Sequence, residues 1–249
     1  MKLQLVEKDR PSLSNVVVIC GLPGSGYVGK FAVDHLIDQL KAKPLAEIYS
    51  DGFPPQVLVR GDGAISLMRS DLSYWKDPNS KNDLIFFTGD AQPSNPESEF
   101  ALSEYVVDYL SREFKSSELI TLGAYATGMP VEGTKVYAAA TDTSLAKALE
   151  EIGCTLMAEG GITGMNGLLL GVAKLKGLKG FTLLGETSGY AIDAKASENV
   201  ILKLEKILGI SVDPSKLEER AKQTQMHERA RKQVQTQQNS ERKRLDYIS

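Results

Sequence analysis

Val16-Val17-Val18-Ile19-Cys20, followed at once by Gly21-Leu22-Pro23-Gly24-Ser25-Gly26-Tyr27-Val28-Gly29-Lys30-Phe31, is the stretch that decides the fold. A short continuous apolar run reads as a strand buried on both faces. The glycine-rich turn after it opens a helical pattern from Tyr27 to about Leu40. Strand, glycine loop and helix N-terminus are the setting of a phosphate cradle. The cradle's chemistry is incomplete, because Gly24 to Lys30 matches a P-loop through its lysine and the next position, where Ser or Thr would hold Mg2+, is Phe31. A nucleotide hydrolase also needs a carboxylate at the end of an apolar strand. Leu84-Ile85-Phe86-Phe87 instead runs on through Thr88 and Gly89 before Asp90. The stronger reading is a turn in which glycines let the backbone bend tightly and the helix pack close to its strand.

Working outward, Leu84–Thr88, Leu119–Gly123, Val136–Ala140 and Phe181–Leu184 repeat the apolar pattern, and helical segments with identifiable ends lie between them. Asn95 is a helix cap with Pro96 at the first helical position, and Phe100, Val107, Leu110 and Phe114 share one face. Ser144 to Ile152 stops at Gly153, and Lys195 to Leu208 stops at Gly209. Alternating strands and helices predict an α/β layered domain. Gln56 to Arg60 and Ala64 to Met68, around Gly61-Asp62-Gly63, predict a β-hairpin that makes the sheet mixed. Asp71 to Asn82 reads by its polarity as a surface excursion carrying a partly buried Trp75.

A second glycine cluster, Gly160-Gly161-Ile162-Thr163-Gly164-Met165-Asn166-Gly167, leads into Leu168-Leu169-Leu170 as a loop entering a buried helix. Loops at the carboxyl ends of strands converge in an α/β sheet. Gly21, Gly24, Gly26, Lys30, Asp142, Gly161, Gly164, Asn166 and Glu186 are therefore the candidate lining of a crevice. Glycines that merely permit close packing are the simpler account, because catalytic side chains are scarce. The chain has two histidines, His35 in the first helix and His227 far along the chain, so no His cluster predicts a metal. Ser25 sits before the first helix, but its only nearby histidine, His35, is ten residues further on. Asp142, Glu159 and Glu186 flank apolar runs, and capping explains them as well as acid-base work does. Cys20 and Cys154 read as buried free thiols.

With 249 residues and 42% hydrophobic content, one large domain plus an appendage is expected, with the body over 1–212 and a tail over 213–249. The N-terminus lacks a charged-then-apolar signal and no apolar stretch reaches membrane-span length, so a cytoplasmic protein without membrane partners is expected. Pro214 to Ser249 holds nine Lys/Arg against five Asp/Glu, a net of +4, which leaves the rest of the chain at −7. An acidic body argues against a nucleic-acid groove. Asp213-Pro214 predicts a helix start, and the segment to about Gln235 has good helix formers but only sparse apolar positions such as Leu217, Met226 and Val234. Such a tail projects into solvent or is disordered. Leu245-Asp246-Tyr247-Ile248-Ser249 sets an aromatic and two aliphatic side chains beside the carboxyl end, which suits insertion into a pocket of another protein.

Taken together, Gly21-Leu-Pro-Gly-Ser-Gly-Tyr-Val-Gly-Lys30, Tyr137-Ala-Ala-Ala-Thr-Asp142, Gly161-Ile-Thr-Gly-Met-Asn-Gly-Leu-Leu-Leu170 and Leu184-Gly-Glu-Thr187 resemble the archaeal branch of the proteasome assembly chaperone family, over roughly residues 14 to 210. The resemblance implies a three-layer α/β domain with a mixed central sheet, distantly similar to nucleoside phosphorylases, with an extended tail. It implies a non-enzymatic homo-oligomer that helps assemble the proteasome core particle without ATP or another cofactor. Archaeal members of the family often end in a hydrophobic residue, a tyrosine and one last residue that dock between α subunits. In this chain Tyr247 stands third from the end, so Leu245, Tyr247, Ile248 and Ser249 form a shifted version of that motif. The competing expectation is a phosphate- or nucleotide-binding protein or enzyme that uses the crevice, with Lys30 as its main cationic contact.

Overall fold

The computed structural model describes residues 1–59, 61, 63–131, 135–219 and 222. In chain order the strands are β1 (Leu3–Glu7), β2 (Val17–Cys20), β3 (Lys43–Ser50), β4 (Val57–Val59), β5 (Ile65–Leu67), β6 (Ser70–Trp75), β7 (Leu84–Gly89), β8 (Glu118–Ala126), β9 (Val136–Ala140), β10 (Thr155–Leu156) and β11 (Lys179–Thr187). The helices are α1 (Val28–Gln39), α2 (Pro96–Phe114), α3 (Thr143–Glu151), α4 (Gly164–Leu175) and α5 (Ala194–Leu208).

Nine strands form one mixed sheet in the order β1-β3-β6-β7-β2-β8-β11-β9-β10. Its heart is the parallel set β7, β2, β8 and β11. β2 and β7 are buried along their whole length, as continuous apolar runs demand of strands covered on both faces. One core holds Val18 and Phe87 of the sheet against Leu102, Val106 and Leu110 of α2 and Leu169 and Val172 of α4. A second core, on the other face, holds Ile19, Phe86 and Leu183 against Val33 and Leu36 of α1, Leu149 of α3 and Val200 and Leu204 of α5. The result is three layers, helix on sheet on helix.

Helix ends follow the capping chemistry in the sequence. The side chain of Asn95 accepts from the Ser98 N–H at 2.9 Å at the start of α2, and Asp193 accepts from the Ala196 N–H at 2.9 Å at the start of α5. Gly209 ends α5 with φ of +66°. The turn into α1 is tight for a different reason. A Cβ on Gly21 would overlap the carbonyl oxygen of Gly29, and one on Gly29 would overlap the carbonyl oxygen of Leu122 in β8. The glycines of the opening motif thus bring α1 against the parallel strands.

The structure differs from the sequence expectations in three places. The segment from Asp71, read as a surface excursion, begins inside the sheet: β6 pairs with both β3 and β7, and Ser70, Leu72 and Tyr74 are buried while Trp75 is half-buried. Its polarity is that of the opposite face, where Arg69 bridges Glu47 at 2.9 Å and Asp71 at 2.8 Å. The predicted hairpin exists as β4 and β5, but it is a separate two-stranded sheet. The main sheet is mixed because β1, β3 and β6 run antiparallel to their neighbours and β9 runs antiparallel to β11. Finally, packing continues past residue 212: Asp213 accepts from the Ser215 N–H at 2.9 Å, and Leu217 is buried in the second core.

Candidate functional site

The parallel strands end at one edge, and α1 and α4 begin there. β2 leads to the left half of the sheet through α1 and β8 leads to the right half, so the connections diverge between these two strands. Such a switch point leaves a crevice. Here it has a volume of about 590 Å3 and is lined by Gly24 and Ser25 after β2, Gln92 after β7, Glu99 in α2, the end of β8 through Tyr125, and the loop from Met157 into α4.

Its walls are tied together by two amides. Gln92 donates from Nε2 to the Pro23 carbonyl at 2.6 Å, and its Oε1 accepts from the Met165 N–H at 2.8 Å, which joins the glycine loop to the start of α4. Asn166 donates from Nδ2 to the Leu122 carbonyl at 2.9 Å. Gly123 faces this amide, and a Cβ there would stand 2.7 Å from Asn166 Nδ2.

Of the residues expected at the crevice, Gly24, Gly161, Gly164 and Asn166 line it. Gly21 is spent on packing against Gly29. Gly26 has φ of +60°, and its carbonyl accepts from the Asp193 N–H at 2.9 Å. The carboxylate of Asp193 in turn accepts from Thr187 Oγ1 at 2.7 Å, so this side of the glycine loop is filled by the chain itself. Lys30 is not part of the lining; its Nζ pairs with Asp34 Oδ1 at 2.7 Å one turn along α1. Asp142 lies at the opposite edge, because β9 runs antiparallel to β11 and ends beside Phe181. There it caps α3, accepting from the Ser144 and Leu145 N–H groups at 3.0 Å, and its hydrogen bonds, that from the Ser144 side chain foremost, hold its pKa below the ordinary 3.8. Glu186 stands one layer behind the wall: it accepts from Tyr137 Oη at 3.4 Å, and Tyr137 stacks on the lining residue Tyr125 with ring centroids 3.9 Å apart.

The charged side chains on the wall are Glu99 and Glu159, and no Lys, Arg or His is among them. Burial pushes the Glu99 carboxyl above its ordinary value. An acidic crevice suits a cation or a neutral hydrogen-bond donor and opposes phosphate. Ser25 is on the wall, whereas His35 is fully buried two turns down α1, about 10 Å along its axis by helix geometry. Gln92, Glu99 and Tyr125 were not anticipated from the sequence. The signal for the first two was positional, since a residue just past a parallel strand and one in the first turn of the next helix share the same sheet edge. Both cysteines are buried and free, as expected. Leu245, Tyr247, Ile248 and Ser249 lie outside the described residues. Among the described residues no helix is long and apolar enough to cross a membrane.

Comparison with solved structures places this architecture among known ones. The crystal structure of Pyrococcus furiosus PbaB, described as an archaeal proteasome activator, is 38% identical, with a TM-score of 0.83 over 92% of this chain and 98% of that one. Pyrococcus furiosus PbaA, described as an archaeal homolog of proteasome-assembly chaperone, is 29% identical, with a TM-score of 0.75 over 91% of this chain and 94% of that one. An uncharacterised protein of Methanocaldococcus jannaschii is 38% identical over 216 residues, covering 86% of this chain and 82% of its own length. A model of the PAC2 family matches residues 18–233, the span that holds the glycine turn, both helix layers and the whole crevice, and the chain belongs to that family.

Proposed function

We propose that this protein is a non-enzymatic, ATP-independent chaperone or adaptor of the cytoplasm that homo-oligomerises and docks onto, or helps assemble, the proteasome core particle. The segment from residue 213 onward, basic where the body is acidic, reaches the α subunits. The observation that carries the reading is the 38% identity to PbaB across 98% of that chain, a protein described as a proteasome activator. The site geometry agrees with it: Gly21 and Gly29 of the opening motif serve packing, and Lys30, the cation of the incomplete P-loop, is paired with Asp34.

Native mass spectrometry of the full chain with an archaeal core particle tests the proposal. A stoichiometric complex that forms equally with and without ATP and Mg2+ is expected, and removal of Leu245 to Ser249 should abolish it. No complex with the intact core particle or with isolated α subunits would overturn the reading. Ligand binding in the crevice is the second reading, favoured by its volume of about 590 Å3. Its two carboxylates direct that reading away from nucleotides and toward a small cationic ligand.

A further inference from the structure

The crevice at the switch point holds two polar groups that the protein itself leaves unsatisfied. Asn166 gives its Nδ2 to the Leu122 carbonyl, and the Oδ1 at the other end of the same amide is buried with no donor among the described residues. A buried acceptor without a partner costs stability unless a donor arrives. The carboxylate of Glu99 is the second. Glu97 and Glu99 both stand in the first turn of α2, where the helix dipole favours an acid, but only Glu99 is on the crevice wall. No hydrogen bond or ion pair reaches its side chain among the described residues, and burial pushes its pKa up. Glu159, on the loop into α4, is exposed and adds a further carboxylate to the lining. Leu22, Met157, Ile162 and Leu184 give the same walls an apolar surface.

We propose that the crevice binds a linear aliphatic polyamine with primary-amine ends. An inner ammonium is held by Glu99 and Asn166 Oδ1, an outer one by Glu159, and the methylene stem lies along the four apolar side chains. The assignment rests on the crevice being a ligand site, the second reading above, and is independent of the proteasome. A volume of about 590 Å3 is that of a small-molecule site. Other ligand classes meet an obstacle in the walls. Anions meet two carboxylates, and the Met165 N–H at the start of α4, an amide that an anion would use, is taken by Gln92 Oε1 at 2.8 Å. A divalent cation needs a fuller set of charged ligands, and among the described residues no three His, Cys, Asp or Glu side chains gather to hold one. A quaternary ammonium needs an aromatic cage, and Tyr125 is the one aromatic among the described lining residues. A primary ammonium carries three donors, which a carboxylate and an amide oxygen can both accept.

Calorimetric titration of the full chain with spermidine at physiological salt tests the assignment, because screening then weakens attraction to the acidic body as a whole. One spermidine per chain is expected. Glu99→Gln should weaken binding roughly 10-fold or more, as loss of a partly buried charged hydrogen bond does, and Glu159→Gln, at an exposed position, about 3-fold. Glu97→Gln removes the same charge outside the crevice and should change nothing. Butylamine, with a single ammonium, should bind more weakly than spermidine and be insensitive to Glu159→Gln. Gly161→Phe blocks the site by a different route. Gly161 lines the crevice with nothing within 4 Å of a would-be Cβ and no positive φ, so the ring fills the space without straining the fold, and binding should be lost. Equal losses for Glu97→Gln and Glu99→Gln, with Gly161→Phe unaffected, would mean attraction to the acidic body alone and overturn the proposal. Binding of Mg2+ or tetramethylammonium that Gly161→Phe abolishes, with no binding of spermidine, would keep the cationic crevice and sink the polyamine. Nα-acetyl-lysine amide that binds as tightly as spermidine would assign the crevice to a lysine side chain of a protein partner instead. No binding of any of these cations would sink the crevice reading and the polyamine together.

Discussion

The turn after β2 and the tip of the β4–β5 hairpin are both rich in glycine, and their glycines serve opposite purposes. Gly21 and Gly29 stand where carbonyl oxygens of neighbouring elements occupy the space of a side chain. Gly61 and Gly63 have nothing within 4 Å of a would-be Cβ, and Gly63 has φ of +82°, so the tip uses glycine for backbone freedom in an open turn. The first region places a helix close to a parallel sheet. The second holds an apolar ribbon out into solvent. Glycine content marks both regions, and only the neighbours reveal which demand is being met.

The sharpest way to break this comparison is one methyl group. Gly29→Ala should cost about 3 kcal/mol or more in urea unfolding, because its Cβ meets backbone of β8 that cannot turn aside. Gly61→Ala, in open space, should change stability by less than about 0.5 kcal/mol. Similar costs at the two positions would mean that the opening motif is not a packing device.

How far each region was legible in the sequence follows from the same distinction. The parallel heart was readable because β2, β7, β8 and β11 are buried on both faces and therefore appear as continuous apolar runs between glycines. The left half was not. β1, β3 and β6 each pack one face and expose the other, so Ser70-Asp71-Leu72-Ser73-Tyr74-Trp75 looks polar overall. Alternation of buried Leu72 and Tyr74 with half-buried Asp71 and Ser73 was the available signal, and average polarity concealed it. At the crevice, the glycines and Asn166 were legible as a cluster. Asp142 was misplaced there because the direction of β9 cannot be read from its own residues. Gln92 became visible only once the edge on which β7 ends was known.

Gly171 sharpens the comparison from within a helix. It lies in α4 on an exposed face, with nothing within 4 Å of a would-be Cβ and no positive φ. It meets neither demand, so Gly171→Ala should stabilise the protein by roughly 0.5–1 kcal/mol through helix propensity and a less disordered unfolded chain. A destabilisation in urea unfolding would show that this face of α4 is covered in solution.

Lys30 applies the same logic to charge. As a P-loop lysine its removal would abolish nucleotide binding; as the partner of Asp34 it contributes about 0.3–0.5 kcal/mol, typical of a helical i,i+4 pair. Lys30→Ala should lower stability by that small amount, and calorimetric titration of the wild-type chain with ATP and Mg2+ should show no heat of binding for the variant to lose. A nucleotide signal that Lys30→Ala removes would restore the phosphate reading of the opening motif.

The smallest effect belongs to Glu99, on the crevice wall. Burial raises its pKa in the folded protein, so the charged form is held less well in the fold than in the unfolded chain. The penalty is present above the raised folded pKa and absent below the ordinary 4.5 of an unfolded glutamate. Glu99→Gln should therefore raise the melting temperature slightly at pH 7 and leave it unchanged below pH 4.5. The effect is small because Glu99 is only partly withdrawn from solvent. A cation bound in the crevice would reverse the sign: the carboxylate would then be the favoured form, and the variant would melt lower than wild type in the presence of that cation at neutral pH.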